Sequence, residues 1–189
     1  MRDNPSFFFN RELSWLEFNQ RVMKETIDPH NPLLERVKFF CIANSNLDEF
    51  FEVRIAGLKQ QMESNVVKHS MDGRTATDIF QAASLRIHRM VDDLFRSWRE
   101  DLRPALAKKG FCFHEIQDLG PKDLVWLKQL FEKNIRPVLT PLSVAPSKNF
   151  PLILNKSLNI IVRVERACEC GSEQRLCIVQ VPRVISRIV

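Results

Sequence analysis

Glycine is scarce in this sequence, at 5 of 189 residues, and the five are scattered. There is therefore no Gly-rich loop of the kind whose backbone N–H groups cradle phosphates. A Gly-x-Ser-x-Gly nucleophile elbow and a His-Glu-x-x-His helix are also missing. His30, His69, His88 and His114 have no carboxylate or cysteine at a motif spacing, and a lone helical histidine such as His88 reads as a surface or boundary residue. No apolar run approaches the ~20 residues that a membrane-spanning helix needs. The opening Met1-Arg2-Asp3-Asn4-Pro5 lacks the apolar core of a signal peptide, so a cytoplasmic protein is expected, with peripheral contact to the membrane left open. The cysteine count, 5, is odd, and Cys41 and Cys112 read as reduced core residues. Cys168-Glu169-Cys170 with Cys177 matches no zinc spacing and has no histidine nearby, so a surface turn with incidental thiols is expected there. The residues by themselves assemble no catalytic group and no metal site.

What is present is an ordinary soluble composition: 44% hydrophobic and 27% charged residues, with a formal net charge of +5. That mild excess permits an anionic partner such as a nucleotide or polyanion. Acids and bases alternate through most of the chain, unlike the basic face of a dedicated nucleic-acid binder, so no nucleic-acid partner is expected.

Helical spacing dominates the first half. Ser14-Trp15-Leu16-Glu17 has the form of a capping box, and Trp15, Phe18 and Val22 share the expected buried face. Asn31 is expected to cap a second helix with Pro32 in its first turn and Leu33, Val37, Phe40 and Cys41 inward. A further stripe runs through Leu47, Phe51, Ile55, Leu58 and Met62, widened by Phe50, and Gly57 within it predicts a close helix crossing. Thr75-Ala76-Thr77-Asp78 opens a long helix with Phe80, Ala83, Ile87, Met90 or Val91, Leu94, Trp98 and Leu102 inward. Pro104 is expected to kink or end it, and Gly110 to close the segment. Phe111-Cys112-Phe113 then looks like a short strand. A helix follows from Pro121 to about Ile135, with Leu124, Leu127, Phe131 and Ile135 inward. Ser157–Glu165 and Arg175–Val181 read as strands of a hairpin whose loop spans Cys168 to Gln174. The expected fold class is α+β. An antiparallel helical bundle over residues 1–106 precedes part of a mixed α/β domain over residues 107–189. The apolar end Val184-Ile185-Ser186-Arg187-Ile188-Val189 is that expected of a piece of a longer protein.

The most informative stretch is Asn44-Ser45-Asn46-Leu47-Asp48-Glu49-Phe50-Phe51. Three small polar residues interrupt the helical pattern and two acids restart it. One helix is expected to end there and another to begin, with Asn46-x-x-Glu49 or Ser45-x-x-Asp48 as the cap and the acids complementing the helix dipole. Such a start is either a capped corner or a place for a polar ligand.

Several blocks carry a resemblance. Phe9-Asn10-Arg11-Glu12-Leu13-Ser14-Trp15-Leu16-Glu17-Phe18-Asn19-Gln20-Arg21-Val22 is one, and Asn31-Pro32-Leu33-Leu34-Glu35-Arg36-Val37-Lys38-Phe39 another. The most specific runs from Ser45-Asn46-Leu47-Asp48-Glu49-Phe50-Phe51 to Gly57-Leu58-Lys59-Gln60-Gln61. Pro137-Val138-Leu139-Thr140-Pro141-Leu142, Phe150-Pro151 and Leu158-Asn159 continue it. In this order they resemble the bacterial polyphosphate kinases of the large, histidine-autophosphorylating class.

The resemblance implies the N-terminal helical domain and the beginning of the head domain of an enzyme that reversibly moves the terminal phosphate of ATP onto inorganic polyphosphate. It implies ATP/ADP and polyphosphate as substrates, Mg2+ as cofactor, and homo-oligomerisation through the head domain. The phosphorylated histidine and the magnesium-binding residues belong to the family's C-terminal domains, so this stretch alone is expected to be inactive. The one site residue carried over is Asn46, which falls on the family's ATP-contacting Asn before Leu-Asp-Glu-Phe. Asn44-Ser45 ahead of it departs from the two Ser, or Ser-Asn, that relatives often carry. The alternative from a different class is a stand-alone helical interaction module without ligand chemistry.

Overall fold

The computed structural model describes residues 4–64, 68–144, 150–168, 171–186 and 188. They divide into two compact units, residues 1–113 and 114–189. The fold is α+β, a helical first unit followed by a unit with a small antiparallel sheet.

In the first unit, α1 spans Arg11–Lys24. Its N-cap is Asn10, four residues before the expected start at Ser14. The Asn10 Oδ1 accepts from the N–H groups of Glu12 and Leu13, both at 3.1 Å, which satisfies two of the unpaired amides of the first turn. Ser14 already donates its backbone N–H to the Asn10 carbonyl. The earlier start goes with a different buried face. Leu16, Asn19 and Met23 are buried, whereas Phe18 is 46% exposed and Trp15 and Val22 are half-buried.

The second helix, α2 (Leu33–Phe50), starts without a side-chain cap. Asn31 turns back instead and donates to the Glu25 carbonyl (3.2 Å) and carboxylate (2.9 Å). The expected break at Asn44-Ser45-Asn46 does not occur. Asn44 Nδ2 donates to the Phe40 carbonyl one turn back at 2.9 Å, a bond compatible with the continuing helix, and Asn46 finds its partner on another helix. With no helix start at Asn46, Asp48 and Glu49 are simply exposed charges on a continuing helix. A π turn, Phe51–Ile55, leads straight into α3 (Ala56–Glu63).

That turn resets the buried face. A π turn takes one residue more than an α turn. The core residues are Leu47, Phe50, Ile55 and Leu58, a spacing of three, five and three, and Phe51 is 46% exposed. Gly57 marks no close crossing, because a Cβ there would meet nothing within 4 Å.

A capping box of Thr75 and Asp78 opens α4 (Ala76–Ser97), as expected. Its buried face is Ile79, Ala83, Ile87, Met90 and Leu94, so Ile79 takes the place expected for Phe80, which packs half-buried beside it. A second π turn (Trp98–Leu102) precedes α5 (Arg103–Ala107). Pro104 does not end the helix, which runs on through it from the π turn just before, where Arg103 donates its N–H to the Trp98 carbonyl five residues back. Gly110 does close it. With φ +88°, Gly110 bonds to the Ala107 carbonyl, and Phe111 to that of Leu106, both at 3.0 Å. That bond uses the Phe111 N–H. The Phe113 carbonyl accepts from Arg103 at 2.8 Å, so residues 111–113 form no strand.

Leu16 and Met23 meet Ala43, Leu47, Phe50, Ile55, Leu58 and the buried face of α4 in one core. Full burial of a side chain of this size contributes about 1.5–3 kcal/mol. Trp15 stacks on Phe50 with ring centroids 4.7 Å apart. Cys41 and Cys112 lie outside this core as exposed free thiols, a correction to their expected burial.

A half-buried carboxylate ties the loop before α4 to the cap of α1. Asp72 accepts from the Ser70 hydroxyl and from Asn10 Nδ2 (3.4 Å), and Arg74 Nε lies 3.4 Å away. Burial pushes its carboxyl up, but the Ser70 and Asn10 hydrogen bonds and the Arg74 charge together hold it below the ordinary value. A depressed folded-state pKa stabilises the fold above the unfolded-state value, near 4, and that contribution is lost as pH falls through the folded one. The melting temperature is expected to drop on acidification below about pH 4, and less steeply in Asp72→Asn. Parallel pH–Tm curves for the two proteins would contradict this.

In the second unit, α6 (Pro121–Leu130) runs into a third π turn, Phe131–Ile135. Of the residues expected inward, Leu124 and Phe131 are exposed, at 42% and 41%, and Leu127 and Ile135 are half-buried. The sheet has order β1-β3-β2, all antiparallel: β1 Pro141–Val144, β2 Asn159–Cys168 and β3 Gly171–Gln180. Pro141 begins an edge strand, where its missing N–H does least harm. The hairpin ladder reaches Cys168↔Gly171, so β3 begins within the expected loop. Polar residues do not stop backbone pairing in a two-stranded ribbon. The Cys168 side chain and Cys170 lie outside the described residues, and Cys177 is a half-buried free thiol in β3.

Candidate functional site

Asn46 lies four residues before the core Phe50, on α2, and is half-buried. Its Nδ2 donates to Oδ1 of Asn19 on α1 at 2.9 Å. Asn19 is fully buried, and its own Nδ2 donates to the Ala43 carbonyl at 3.1 Å and lies 3.7 Å from Met90 Sδ. A buried carboxamide is costly unless both its ends are paired, and these are.

The chain of bonds has one direction. The Ala43 carbonyl can only accept, so Asn19 must turn its NH2 toward it. The Asn19 oxygen then faces Asn46, which must present its own NH2. What Asn46 has left for a ligand is Oδ1 and its second N–H. Among the described residues no partner is recorded for that oxygen.

The neighbours of Asn19 on α1 are clamped as well. Arg86 of α4 meets Glu17 through Nε–Oε1 at 2.6 Å and Nη2–Oε2 at 3.3 Å, and reaches Gln20 at 3.0 Å. The Arg86 hydrogen bond holds the Glu17 carboxyl below its usual range. A planar guanidinium bound at two points fixes geometry better than a single contact would. The same Glu17 and Arg86 help to line a cleft of about 760 Å³ with Phe8, Phe9, Leu13 and Arg74, and Asn46 does not line it.

The remaining residues weighed for chemistry stay apart. His30 pairs with Asp28 at 2.8 Å on the surface, a carboxylate contact that motif spacing did not flag. His88 Nδ1 lies 2.7 Å from the Ser84 carbonyl on an exposed face, as expected of a surface residue, and His69 lies 3.0 Å from the Gly73 carbonyl. Among the described residues no group of three His, Cys, Asp or Glu side chains is arranged to hold a metal. Asn19 was not anticipated, although a lone Asn between Leu16 and Met23 at spacings of three and four is a legible signal once α1 is known to start at Arg11.

Residues 8–114 match the polyphosphate kinase N-terminal domain and residues 122–189 the polyphosphate kinase middle domain. The chain belongs to the polyphosphate kinase family. It is 45% identical over 187 residues to a polyphosphate kinase of Thermosynechococcus vestitus, covering 99% of this chain and 25% of that one. It is 44% identical over 188 residues to one of Halalkalibacterium halodurans, covering 99% and 26%. A crystal structure of polyphosphate kinase from Porphyromonas gingivalis matches with a TM-score of 0.75 and 28% identity, covering 93% of this chain and 25% of that one. The chain thus spans about a quarter of the length of the relatives it matches. Among the described residues no helix is long and apolar enough to cross a membrane.

Proposed function

We propose that this chain is the N-terminal part of a polyphosphate kinase that reversibly transfers the terminal phosphate of ATP to inorganic polyphosphate, and that Asn46 contributes to its ATP site. The phosphohistidine, and the residues that bind Mg2+, would lie beyond Val189, so the chain by itself performs no phosphoryl transfer. The second unit, which corresponds to the beginning of the head domain, would contribute to a homo-oligomer. Location is cytoplasmic in this reading.

The observation that carries the Asn46 assignment is its held carboxamide. The side chain is anchored on one side by Asn19 and keeps an unused acceptor and donor on the other. A base edge offers a complementary pair, and an anchored group loses little freedom when it binds. A neutral hydrogen bond of this kind contributes about 0.5–1.5 kcal/mol. In the full-length protein, Asn46→Ala is therefore expected to raise the KM for ATP about two- to tenfold while leaving kcat close to the parent's. Steady-state kinetics at varied ATP test this. An unchanged KM would leave Asn46 as a packing residue only.

A further inference from the structure

We propose that Asn19 is a positioning residue that fixes which end of the Asn46 carboxamide meets the nucleotide, and so makes Asn46 read adenine in preference to guanine. The inference rests on the reading of Asn46 as a nucleotide contact and deepens it.

A free asparagine is a poor discriminator. Rotating the carboxamide by half a turn exchanges its donor and acceptor at little cost, so it can satisfy either order of groups on a base. Asn46 is not free in this sense. Reversing it would set its Oδ1 against the Asn19 Oδ1. Reversing Asn19 to relieve that clash would set the Asn19 oxygen against the Ala43 carbonyl. Asn19 is wholly buried beside Met90, so solvent does not reach its carboxamide to compensate a reversal. The order is thus imposed from a backbone carbonyl of α2, through α1, and back to α2.

Recognition follows from the atoms left over. Oδ1 of Asn46 accepts and cannot donate. Adenine presents an exocyclic N6–H2 donor on the edge where guanine presents the O6 acceptor. A base seated with that group at Asn46 Oδ1 gains a hydrogen bond if it is adenine and meets a second oxygen if it is guanine.

The test compares kcat/KM for ATP and GTP in the full-length protein and its variants, with the melting temperature of each. The parent is expected to prefer ATP. Asn19→Leu is close in volume and suits the apolar surroundings of Met90, and it removes the lock. Its ATP:GTP preference is expected to fall roughly tenfold, the scale of a good two-point base contact. Asn19→Asp still offers an oxygen to the Asn46 NH2, so it is expected to keep the preference while melting lower. Asn19→Ala adds no bulk, keeps no polar atom at the position, and serves the same purpose as the leucine variant if that one does not fold. A parent that uses GTP as well as ATP overturns the inference. So does an unchanged ratio in the unlocked variants with both KM values raised together, which would make Asn19 a structural residue only. Asn46→Ala separates the two levels. If it raises the KM for ATP while the Asn19 variants keep the parental ratio, the positioning role alone fails. If it changes neither KM nor ratio, the nucleotide reading fails with it.

Discussion

Phe50→Ala is expected to destabilise the protein by about 3–5 kcal/mol, whereas Phe51→Ala should cost under about 1 kcal/mol. Phe50 is 1% exposed, stacks on Trp15 and lies in the core that joins α1, α2 and α4, so its removal leaves a cavity where three helices meet. Phe51 is 46% exposed and has little packing to lose. Denaturant titration followed by far-UV circular dichroism measures both. Equal losses, or a larger loss at Phe51, would mean that the helix carries an α register through residues 51–55 rather than a π turn.

The second large effect is expected at Leu16. It is completely buried in the same core, and Leu16→Ala should cost about 2–5 kcal/mol. Phe18→Ala should cost under about 1 kcal/mol, because that ring is 46% exposed and its notable contact is the Arg21 guanidinium 5.8 Å from its centroid. Thermal melts of the two variants decide between the observed α1 face and the one expected from Trp15, Phe18 and Val22. A phenylalanine variant melting below the leucine variant would restore the latter.

These two corrections show what could be read in the chain. Apolar spacing located the helical stretches but cut the run from α2 to α3 in two, and in α4 it also placed most of the core, because Thr75 and Asp78 cap that helix where the pattern begins. In α1 the larger aromatic residues drew the expected face one position away from Leu16, Asn19 and Met23. A ring such as Phe18 can cover the rim of a core as well as fill it, and size alone does not distinguish the two. The polar triplet at Asn44-Ser45-Asn46 misled for a related reason. Polar residues break a helix when their side chains compete for its backbone, and here the partner of Asn46 lies 27 residues away on α1. Long-range partners leave no trace in local spacing. The resemblance to the polyphosphate kinases singled out Asn46, but the residue that holds it became visible only when α1 and α2 were placed side by side.

The π turn at Phe51–Ile55 changes how this segment tolerates changes in length. The helical ladder runs through it, yet five residues are counted out where an α turn would use fewer. It behaves as a stored extra residue, the slack in an otherwise taut thread. Shortening the chain by one exposed position there, such as Val53, would let an ordinary α turn form with Phe50 and Ile55 still on the same side. Shortening it by one within α2, between Asn46 and Phe50, would instead turn Asn46 about 100° away from Asn19 relative to everything after it. Two single-residue deletions a few positions apart in one helix thus have opposite consequences. The spare residue lies just past the segment whose angular placement the Asn19–Asn46 contact requires, where it can be given up without disturbing that contact.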